Sequence, residues 1–494
     1  MEEKLAKQSD SETTPLSKWT TESEKLENAK NLLYFKQDVG LKYDKRKLAS
    51  LEKQSSAQAS LFVKKFGREP RLLFLMSVET IGRAKTYKDY LRLHETRTSK
   101  ILSKRFNING ANVNWGSWRQ FAASTDDSSA RKEIFDDFLE KSSLLTPIIK
   151  SRFDTYAKTL EQYELTPLSS YLELERIDYD RLLTLVDRLG SGLKDSFRAS
   201  LAKYSEEILR RDPEYYDDFY FFRSRIFRKY EKKFPTKHEP IVRIVKTMKE
   251  MGLNASKVKV DRVDRKGKSA SAFCAAIKVP TDVRISYRKS NPLEDFSAVF
   301  HEFGHGVHGV SIDSDATYWN KYLIANGVSE IFSIFFEGLM HENLYLREEL
   351  GLDEQVSLDL LSRFRFNELF FATFYSANST MKLRYWHDSL DMDEANSLYS
   401  DLTEQYMGIR YPGKYWQLHH VMPDYFLYSP SYLIAAVRAF ELSKSLRSKF
   451  GERYWKDKRA GAYVFSLLQV GQAIEFDGFS RLDTSAYIEH LKEN

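Results

Sequence analysis

The residues His301-Glu302-Phe303-Gly304-His305 form the most informative stretch of this 494-residue chain. On an α-helix, residues four apart lie on one face, so His301 and His305 can point at a single ion. Glu330 follows 25 residues after His305, inside a second apolar segment, and supplies a carboxylate. Two imidazole nitrogens and one carboxylate oxygen suit zinc, and a catalytic zinc site keeps its fourth position open. The spacing therefore predicts one Zn2+ bound by His301, His305 and Glu330.

Glu302 is displaced around the helix from the two histidines, toward the open position of the predicted ion. A carboxylate there can act as the general base that deprotonates a water molecule. Two other interpretations stay open, namely a chance match to the pattern and a salt bridge between Glu330 and an arginine or lysine. Zinc is favoured, because an ionised carboxylate among apolar residues requires a strong partner.

The helix that carries this motif has a recognisable beginning. Asn291 is predicted to be its N-cap, and Pro292 suits the first helical position. Gly304 allows another backbone to approach between the two histidines, and Gly309 is predicted to end the helix. Apolar residues at helical spacing predict its buried face: Leu293, Phe296, Phe300, Phe303 and Val307.

A second, largely buried helix is predicted at residues 323–339, around Glu330. His308 and Glu337 are candidates to contact the metal ligands through hydrogen bonds. For His308, a purely structural histidine is an equally good interpretation. Residues 271–277 and 283–287 are β-leaning and predict a hairpin or two short strands, which could align an extended substrate or serve only the fold.

Composition favours a helical globular protein, with 30% charged and 14% aromatic residues, 12 prolines and 21 glycines. A net charge of +6 is too small to indicate nucleic-acid binding. Cys274 is the single cysteine, which excludes an intrachain disulfide and is typical of a reducing compartment. We expect a cytoplasmic protein, because residues 1–28 lack the apolar core of a secretory signal. No apolar run approaches the length of a membrane span.

Three parts are predicted along the chain. Residues 1–20 form a mobile polar tail, residues 21–235 an N-terminal α-helical lobe, and residues 236–494 a catalytic lobe with the zinc site and C-terminal helices. Residues 215–234 are rich in aromatic and basic side chains. They could stack on nucleic acid, but a helix face packed in a core is favoured.

A second aromatic concentration occurs at residues 411–432. Such richness is typical of a core, although tyrosine and histidine can also donate hydrogen bonds to the oxyanion of peptide hydrolysis. The residues alone leave both interpretations open: Tyr411, Tyr415, Trp416, His419, His420, Tyr425, Tyr428 and Tyr432.

Residues 301–308, HEFGHGVH, resemble the signature of the thimet oligopeptidase and oligoendopeptidase F family of zinc peptidases. Glu330-Ile331-Phe332-Ser333 is similar to the E-x-x-S pattern that holds this family's third zinc ligand, with Ser333 beside it. The resemblance covers residues 267–438. It implies a mainly α-helical, two-lobed, zincin-like fold, with a small β-sheet beside the motif helix and a deep channel for short unfolded peptides.

The same resemblance implies roles for three residues of the aromatic segment. His420, Tyr425 and Tyr432 match the family's residues that bind the substrate carbonyl and stabilise the oxyanion. The loop between the first two is Val421-Met422-Pro423-Asp424, where the family usually has glycines.

A second resemblance is to the thermostable carboxypeptidases, which are also zinc enzymes. Asp282-Val283-Arg284-Ile285-Ser286 is similar to a strand before their metal motif, and His420 with Tyr428-Ser429-Pro430-Ser431-Tyr432 to a later signature. This resemblance implies an arginine, Arg284 or Arg438, that binds the terminal carboxylate of the substrate. Tyr428 is also expected to contact substrate. His308 argues against this family.

We therefore predict a zinc peptidase that cleaves peptide bonds in short oligopeptides, with one Zn2+ per chain. A zinc carboxypeptidase is the alternative enzyme, and a non-catalytic peptide- or nucleic-acid-binding protein is the alternative of another class. The expected partners are oligopeptides, without nucleic acid or membrane. The sequence is compatible with a monomer or a homodimer, and cobalt or manganese could use the same ligands in vitro.

Overall fold

The computed structural model describes residues 15–102, 104–105, 112–231, 234, 239–419 and 421–493, and the protein is mainly α-helical there, as predicted. The elements before residue 239 are α1 (Pro15–Asp38), α2 (Lys45–Phe66), α3 (Arg71–Lys85), α4 (Tyr87–Thr98), β1 (Lys104–Arg105), β2 (Asn112–Val113), α5 (Trp118–Ser124), α6 (Ser128–Lys141), α7 (Thr146–Glu161), α8 (Pro167–Glu175), α9 (Tyr179–Ile208) and α10 (Asp218–Tyr220).

The elements after residue 239 are α11 (Pro240–Glu250), β3 (Lys259–Asp261), β4 (Phe273–Lys278), β5 (Asp282–Ser286), α12 (Pro292–Ser311), α13 (Tyr318–Tyr322), α14 (Asn326–Glu337), α15 (Asn343–Glu348), α16 (Glu354–His387), α17 (Met392–Met407), α18 (Tyr415–Leu418), α19 (Ser429–Phe450), α20 (Lys458–Leu468) and α21 (Thr484–Lys492). Short 3-10 and π turns link many of these helices. Within the described ranges, no helix is both long and apolar enough to cross a bilayer.

The small sheet lies beside α12 and has the strand order β3-β5-β4. β4 and β5 are antiparallel, which confirms the predicted hairpin, and β3 pairs with β5 in parallel. Two glycines of α12 give the sheet room: a Cβ at Gly306 would lie 3.2 Å from Ile285, and one at Gly309 would lie 3.1 Å from Val283. The motif helix therefore packs directly on the strands, as predicted.

One hydrophobic cluster extends through the described chain from Trp19 to Leu491. It crosses residue 235, so the two predicted lobes share a continuous core. Residues 1–14 of the predicted tail, which comprises residues 1–20, lie outside the described residues. From Pro15 the structure corrects that prediction, because the chain is already helical and Trp19 packs on Phe62 with ring centroids 5.0 Å apart.

The contact between α12 and α14 brings the two ligand-bearing helices together at Gly304. A Cβ at this position would lie 2.3 Å from the carbonyl oxygen of Phe332 and 2.5 Å from Cα of Ser333. Real Cβ atoms do not approach backbone so closely, so this helix contact requires glycine. The predicted close approach of a second backbone is confirmed.

The bounds of α12 agree with the prediction at one end and differ at the other. The side-chain oxygen of Asn291 accepts a hydrogen bond from the backbone N of Glu294 at 3.0 Å, so Asn291 is the N-cap. The prediction that Gly309 ends the helix is wrong, because α12 continues to Ser311. Packing on the sheet explains the difference, since Val310 is buried and Gly309 makes room for a strand.

The N-terminus of α14 is held by two buried side chains from distant segments. Oε1 of Glu175 accepts from the backbone N of Gly327 at 2.9 Å, and Oε1 of Gln472 accepts from that of Ala325 at 2.7 Å. A carboxylate is favourable here because the first amides of a helix carry partial positive charge. Ser431 of α19 donates to the same oxygen of Glu175 at 2.7 Å, so Glu175 links α14 to α19.

In the described part of the aromatic and basic segment at residues 215–234, the phenylalanine rings of the first turns pack into the core. Phe221 and Phe222 are 0% and 1% exposed, and Arg225 is paired with Asp126. Stacking on bases requires accessible rings, and these two rings are enclosed. The packed interpretation is therefore confirmed for these residues.

Replacing Gly304 by alanine is expected to push α12 and α14 apart. The added methyl group meets backbone atoms that cannot rotate away, so we expect a loss of about 1–3 kcal/mol in the free energy of unfolding. Gly338→Ala is the matched control, because a Cβ there has no atom within 4 Å. Urea unfolding of both variants measures the difference. Equal stability of the two variants would contradict the tight helix contact.

Candidate metal centre

The three predicted zinc ligands meet between α12 and α14, and we call His301, His305 and Glu330 the ligand triad. Oε2 of Glu330 lies 3.4 Å from Nε2 of His301 and 3.4 Å from Nε2 of His305. One ligand atom from each of the three residues lies within 4.8 Å of the others. The Glu330 side chain is 4% exposed, whereas those of His301 and His305 are 23% and 17% exposed. Space therefore remains on the histidine side.

These distances fit a tetrahedral metal ion. Ligand atoms placed about 2.0–2.1 Å from a tetrahedral zinc lie about 3.3 Å from one another. The two Nε2–Oε2 distances of the ligand triad match that separation. Two imidazoles and one carboxylate also leave one position open, as in catalytic zinc sites. The ligand triad thus has the donor types and the spacing that zinc requires.

Hydrogen bonds at the opposite ring nitrogens orient both histidines. Nδ1 of His301 donates to Oε2 of Glu337 at 2.9 Å, and Nδ1 of His305 lies 3.0 Å from Oγ of Ser329. Ser297 donates in turn to Oε1 of Glu337. Such contacts fix the tautomer that leaves Nε2 free to bind a metal. Glu337 therefore has the position that the sequence predicted for it.

Both carboxylate oxygens of Glu330 accept hydrogen bonds. Ser333 donates to Oε2 and the Tyr428 hydroxyl donates to Oε1, each at 2.7 Å. Burial would raise the pKa of Glu330, but His305 and His301 hold it well below its usual range, so the carboxylate is ionised. Tyr428 was predicted to contact substrate, and the structure places its hydroxyl on a member of the ligand triad.

Glu302 lies one residue after His301, and it is 9% exposed. No hydrogen bond to another described residue occupies its carboxylate. Burial raises the pKa of Glu302 above its usual range, against the opposing charges of the two histidines. Burial, with the Glu302 carboxylate, also raises the pKa of Cys274 on β4. A carboxylate that can accept a proton therefore lies next to the ligand triad and near β4.

His308 and Ser333 differ in their contacts. Ser333 donates a hydrogen bond to Glu330, whereas the ring of His308 packs on Phe332. Its ring is 2% exposed and packs on Phe332, with ring centroids 4.7 Å apart. Burial lowers the pKa of His308 to about 3, so the ring is neutral. In the described chain its Nε2 has no hydrogen-bond partner. The arrangement matches the structural interpretation of this histidine.

A row of four tyrosines, which we call the tyrosine cluster, leads away from Glu330. Ring centroids are 4.8 Å apart for Tyr425 and Tyr428, and 5.0 Å apart for Tyr428 and Tyr432. Tyr375 extends the row, 5.0 Å from Tyr432. Burial, with the charge of Glu330, raises the pKa of Tyr432 well above its usual range, so its hydroxyl remains a donor. Tyr425 is 43% exposed.

His420, the third predicted member of the oxyanion-binding group, lies outside the described residues, so its role stays a prediction. The loop that follows it is tied to the first half of the chain. Nη1 of Arg97 donates to Oδ1 of Asp424 at 2.6 Å. Nη1 of Arg152 donates to the carbonyls of Pro423 and Asp424 at 3.2 and 2.7 Å. These arginines therefore fix the backbone that leads into Tyr425.

The structure does not bring the two predicted carboxylate-binding arginines into contact with the ligand triad. Two guanidinium nitrogens of Arg284 donate to the two oxygens of Asp282, at 2.8 and 2.7 Å. Arg438 is 2% exposed and lies over Phe476, with Cζ 3.4 Å from the ring centroid. Arg284 is therefore paired within the fold, and Arg438 is too deeply buried to reach a ligand at the surface, although its Nε and Nη1 have no hydrogen-bond partner among the described residues.

Three contacting residues were not found from the sequence. Ser297 precedes His301 by one helical turn, so its spacing could have indicated it. Ser329 precedes Glu330 directly, and neighbours in sequence on a helix do not share a face, so its contact with His305 carries no clear signal. Tyr375 belongs to α16, and only the tertiary fold brings it to the tyrosine cluster.

Comparisons with known proteins agree with this architecture. No protein-family model matches the chain, and no curated protein matches it in sequence. A structure described as an oligoendopeptidase F from Bacillus anthracis strain Ames matches with a TM-score of 0.58 and 14% identity, covering 97% of this chain and 86% of that one.

Two further solved structures match at similar levels. PZ peptidase A with an inhibitor has a TM-score of 0.55 and 15% identity, over 93% of this chain and 85% of that one. Another structure described as oligoendopeptidase F has a TM-score of 0.57 and 14% identity, over 93% and 85%. The chain therefore has the mainly α-helical fold of these structures, which confirms the fold class that the resemblance implied.

Replacing Glu337 by glutamine is expected to weaken zinc binding about 10- to 100-fold, because the His301 ring loses a charged acceptor. Competition with a zinc chelator measures the affinity. Glu294→Gln is the matched control, since Glu294 is exposed on the first turn of α12, the helix that carries His301. Unchanged affinity in Glu337→Gln would show that this carboxylate does not support the ligand.

Proposed function

We propose that the protein is a zinc-dependent peptidase that hydrolyses peptide bonds in short oligopeptides. The single observation that carries this proposal is the ligand triad, in which Oε2 of Glu330 lies 3.4 Å from Nε2 of each histidine, with the carboxylate of Glu302 next to it and not hydrogen-bonded to another described residue. A structural zinc site would use all four positions for protein ligands. A three-ligand set with an adjacent base is the arrangement of a hydrolase.

The chemistry divides between the ion and the chain's own side chains. A zinc ion held by the ligand triad would lower the pKa of water to about 7 and polarise the scissile carbonyl. Glu302 accepts the proton of the attacking water at its carboxylate and passes it to the leaving amine. Its buried position and raised pKa suit a group that must both take and return a proton.

The tyrosine cluster supplies the other side of the reaction. Tyr432 and Tyr425 donate hydrogen bonds to the substrate carbonyl as negative charge develops on its oxygen. The raised pKa of Tyr432 keeps its hydroxyl protonated for this purpose. Tyr428 holds Glu330 through Oε1 and so positions a metal ligand. His420 is proposed to join this group.

The comparisons support the same class of activity. The matching structures are described as oligoendopeptidase F and PZ peptidase A, and the latter was solved with an inhibitor. β4 offers a means of holding an extended peptide, because it is an edge strand and contains Cys274, near Glu302. We further propose action in a reducing compartment such as the cytoplasm, in keeping with the single cysteine.

The alternatives receive less support from the geometry. A carboxypeptidase that used Arg284 or Arg438 would need an accessible, unpaired guanidinium, but Arg284 is paired with Asp282 and Arg438 is 2% exposed. A nucleic-acid platform at residues 215–234 would need accessible rings, and its phenylalanines Phe221 and Phe222 are buried.

Glu302→Gln is expected to retain zinc while turnover falls at least about 10²- to 10⁴-fold, because the general base is lost and the ligand triad is intact. Zinc content by mass spectrometry and cleavage of an eight- to twelve-residue peptide measure the two properties. Glu294→Gln, on the same helix, is the control and should keep both. Full activity of Glu302→Gln would contradict the mechanism.

The products of the same digestion separate the two kinds of peptidase. Internal cuts are expected, in agreement with an oligopeptidase. A ladder of products shortened one residue at a time from the C-terminus would instead identify a carboxypeptidase.

A further inference from the structure

A small pocket opens beside the tyrosine cluster, between α5, the turn after α10 and the end of α18. It contains two guanidinium groups and a histidine in a ring of aromatic side chains. We call it the arginine pocket, and it is lined by Trp118, Arg119, Phe219, Arg223, Tyr415, Leu418 and His419.

Arg119 is fixed in this pocket without a carboxylate partner. Its Cζ lies 5.1 Å from the ring centroid of Trp115 and 4.9 Å from that of Trp118. One guanidinium nitrogen, Nη2, donates to the carbonyl of Leu418. Among the described residues, no aspartate or glutamate forms an ion pair with Arg119. Asp424 is the acidic residue whose charge acts on Arg119, and it is already paired with Arg97.

Arg223 has only a distant and shared partner. Its Nε lies 3.5 Å from Oδ1 of Asp218, at the limit of a hydrogen bond, and Tyr415 donates to the other oxygen of that carboxylate. The Arg223 guanidinium lies over Phe219, and its side chain is 37% exposed. Part of this group is therefore available to a ligand.

The surroundings of the pocket leave an excess of positive charge. Arg97, which is nearby, is already paired with Asp424 at 2.6 Å. Burial lowers the pKa of Arg119 to about 10; the charges of Arg97 and Arg223 act in the same direction, and Tyr415 and Asp424 oppose the shift. Like charges that lie close together in a poorly solvated pocket repel each other, so the binding of an anion between them is favourable.

The arginine pocket is connected to the ligand triad through the tyrosine cluster. The His419 ring lies 5.9 Å from Tyr375, which in turn lies 5.0 Å from Tyr432. Burial raises the pKa of Tyr375 to about 12, with the charge of Arg223 opposing the shift and that of Glu330 supporting it. Tyr375 therefore lies within electrostatic reach of both sites. Each of these two ring-to-ring steps is about 5–6 Å, and an extended peptide advances about 3.3–3.6 Å per residue, so one or two residues span each step.

We propose that the arginine pocket binds a carboxylate of the peptide substrate through Arg119 and Arg223, a few residues from the bond that is cleaved at the ligand triad. The inference rests on the proposed peptidase function. Arginine is suited to this task, because its planar group donates two parallel hydrogen bonds to a carboxylate. Stacking on aromatic rings also holds both guanidinium groups in place before the substrate arrives.

Two sources could provide that carboxylate, the C-terminus of the peptide or an acidic side chain near it. Four eight-residue peptides, which differ only at the penultimate residue and at the C-terminal group, distinguish these two sources. Each ends in a free acid or an amide, and each has glutamate or glutamine at the penultimate position. Calorimetric titration into the full-length, zinc-loaded Glu302→Gln protein measures the dissociation constants without turnover.

Removal of the recognised carboxylate is expected to raise the dissociation constant about 10- to 100-fold, as for other charge-assisted hydrogen bonds. Arg223→Met in the same background should abolish that difference. Arg228→Met should preserve it, because Arg228 is an exposed arginine of the same segment that does not line the pocket. Arg223→Lys should keep a smaller difference, since a point charge remains without the planar fork.

A difference on amidation identifies the terminal carboxylate, and a difference between glutamate and glutamine identifies the side chain. Equal affinity for all four peptides, or a difference that persists in Arg223→Met, would overturn the proposal. Thermal melting confirms that each variant is folded. If Arg223→Met does not fold, Arg119→Met takes its place in the same comparison.

Failure of this inference is distinguishable from failure of the proposed function. Peptide cleavage by the wild-type protein with equal affinity for all four peptides would contradict the arginine pocket alone. Arg223-dependent binding of one carboxylate, without cleavage of any peptide by the wild-type protein, would contradict the peptidase function and leave the pocket in place.

Discussion

The contact of α12 with α14 at Gly304 is the constraint on which the site depends. At this point the two backbones approach so closely that a single methyl group would overlap the carbonyl of Phe332. Because Gly304 lies between His301 and His305, the same contact places Glu330 at equal distances from both histidines. Moving the two helices apart would lengthen both distances from Glu330 to the histidines and so weaken the fit to one metal ion.

Electrostatics then explains why the surrounding polar groups are needed. Glu330 is a buried, ionised carboxylate, and such a group is costly unless strong donors surround it. Ser333 and Tyr428 supply two of these donors, and Nε2 of each histidine lies 3.4 Å from Oε2 of Glu330, where a shared cation would balance its charge. Glu175 joins the same construction from a distance, because it holds both the start of α14 and Ser431 of α19. Glu175 therefore links α14, which carries Glu330, to α19, which carries Tyr432.

The parts of the site that follow from helix periodicity could be predicted from the sequence. His301 and His305 share a face because they are four residues apart, and the N-cap at Asn291 follows from local chemistry. Local rules failed where tertiary packing overrides them, as at Gly309, which faces a strand and does not end the helix. The placement of Tyr375 and of Arg119 could not be predicted, because their contacts join segments that are far apart in the chain. Spacing alone left the roles of Tyr425 and Tyr432 open, and only the family resemblance predicts that they bind the substrate carbonyl.

We propose that His301, His305 and Glu330 bind one zinc ion, and X-ray absorption at the zinc edge reports the neighbours of that ion. The metal-loaded protein should show only nitrogen and oxygen neighbours, at about 2.0–2.2 Å, with the outer-sphere pattern of two imidazoles. A sulfur neighbour at about 2.3 Å would assign the ion to Cys274, the single cysteine, and so contradict the ligand triad. The absence of any tightly bound zinc would contradict it as well.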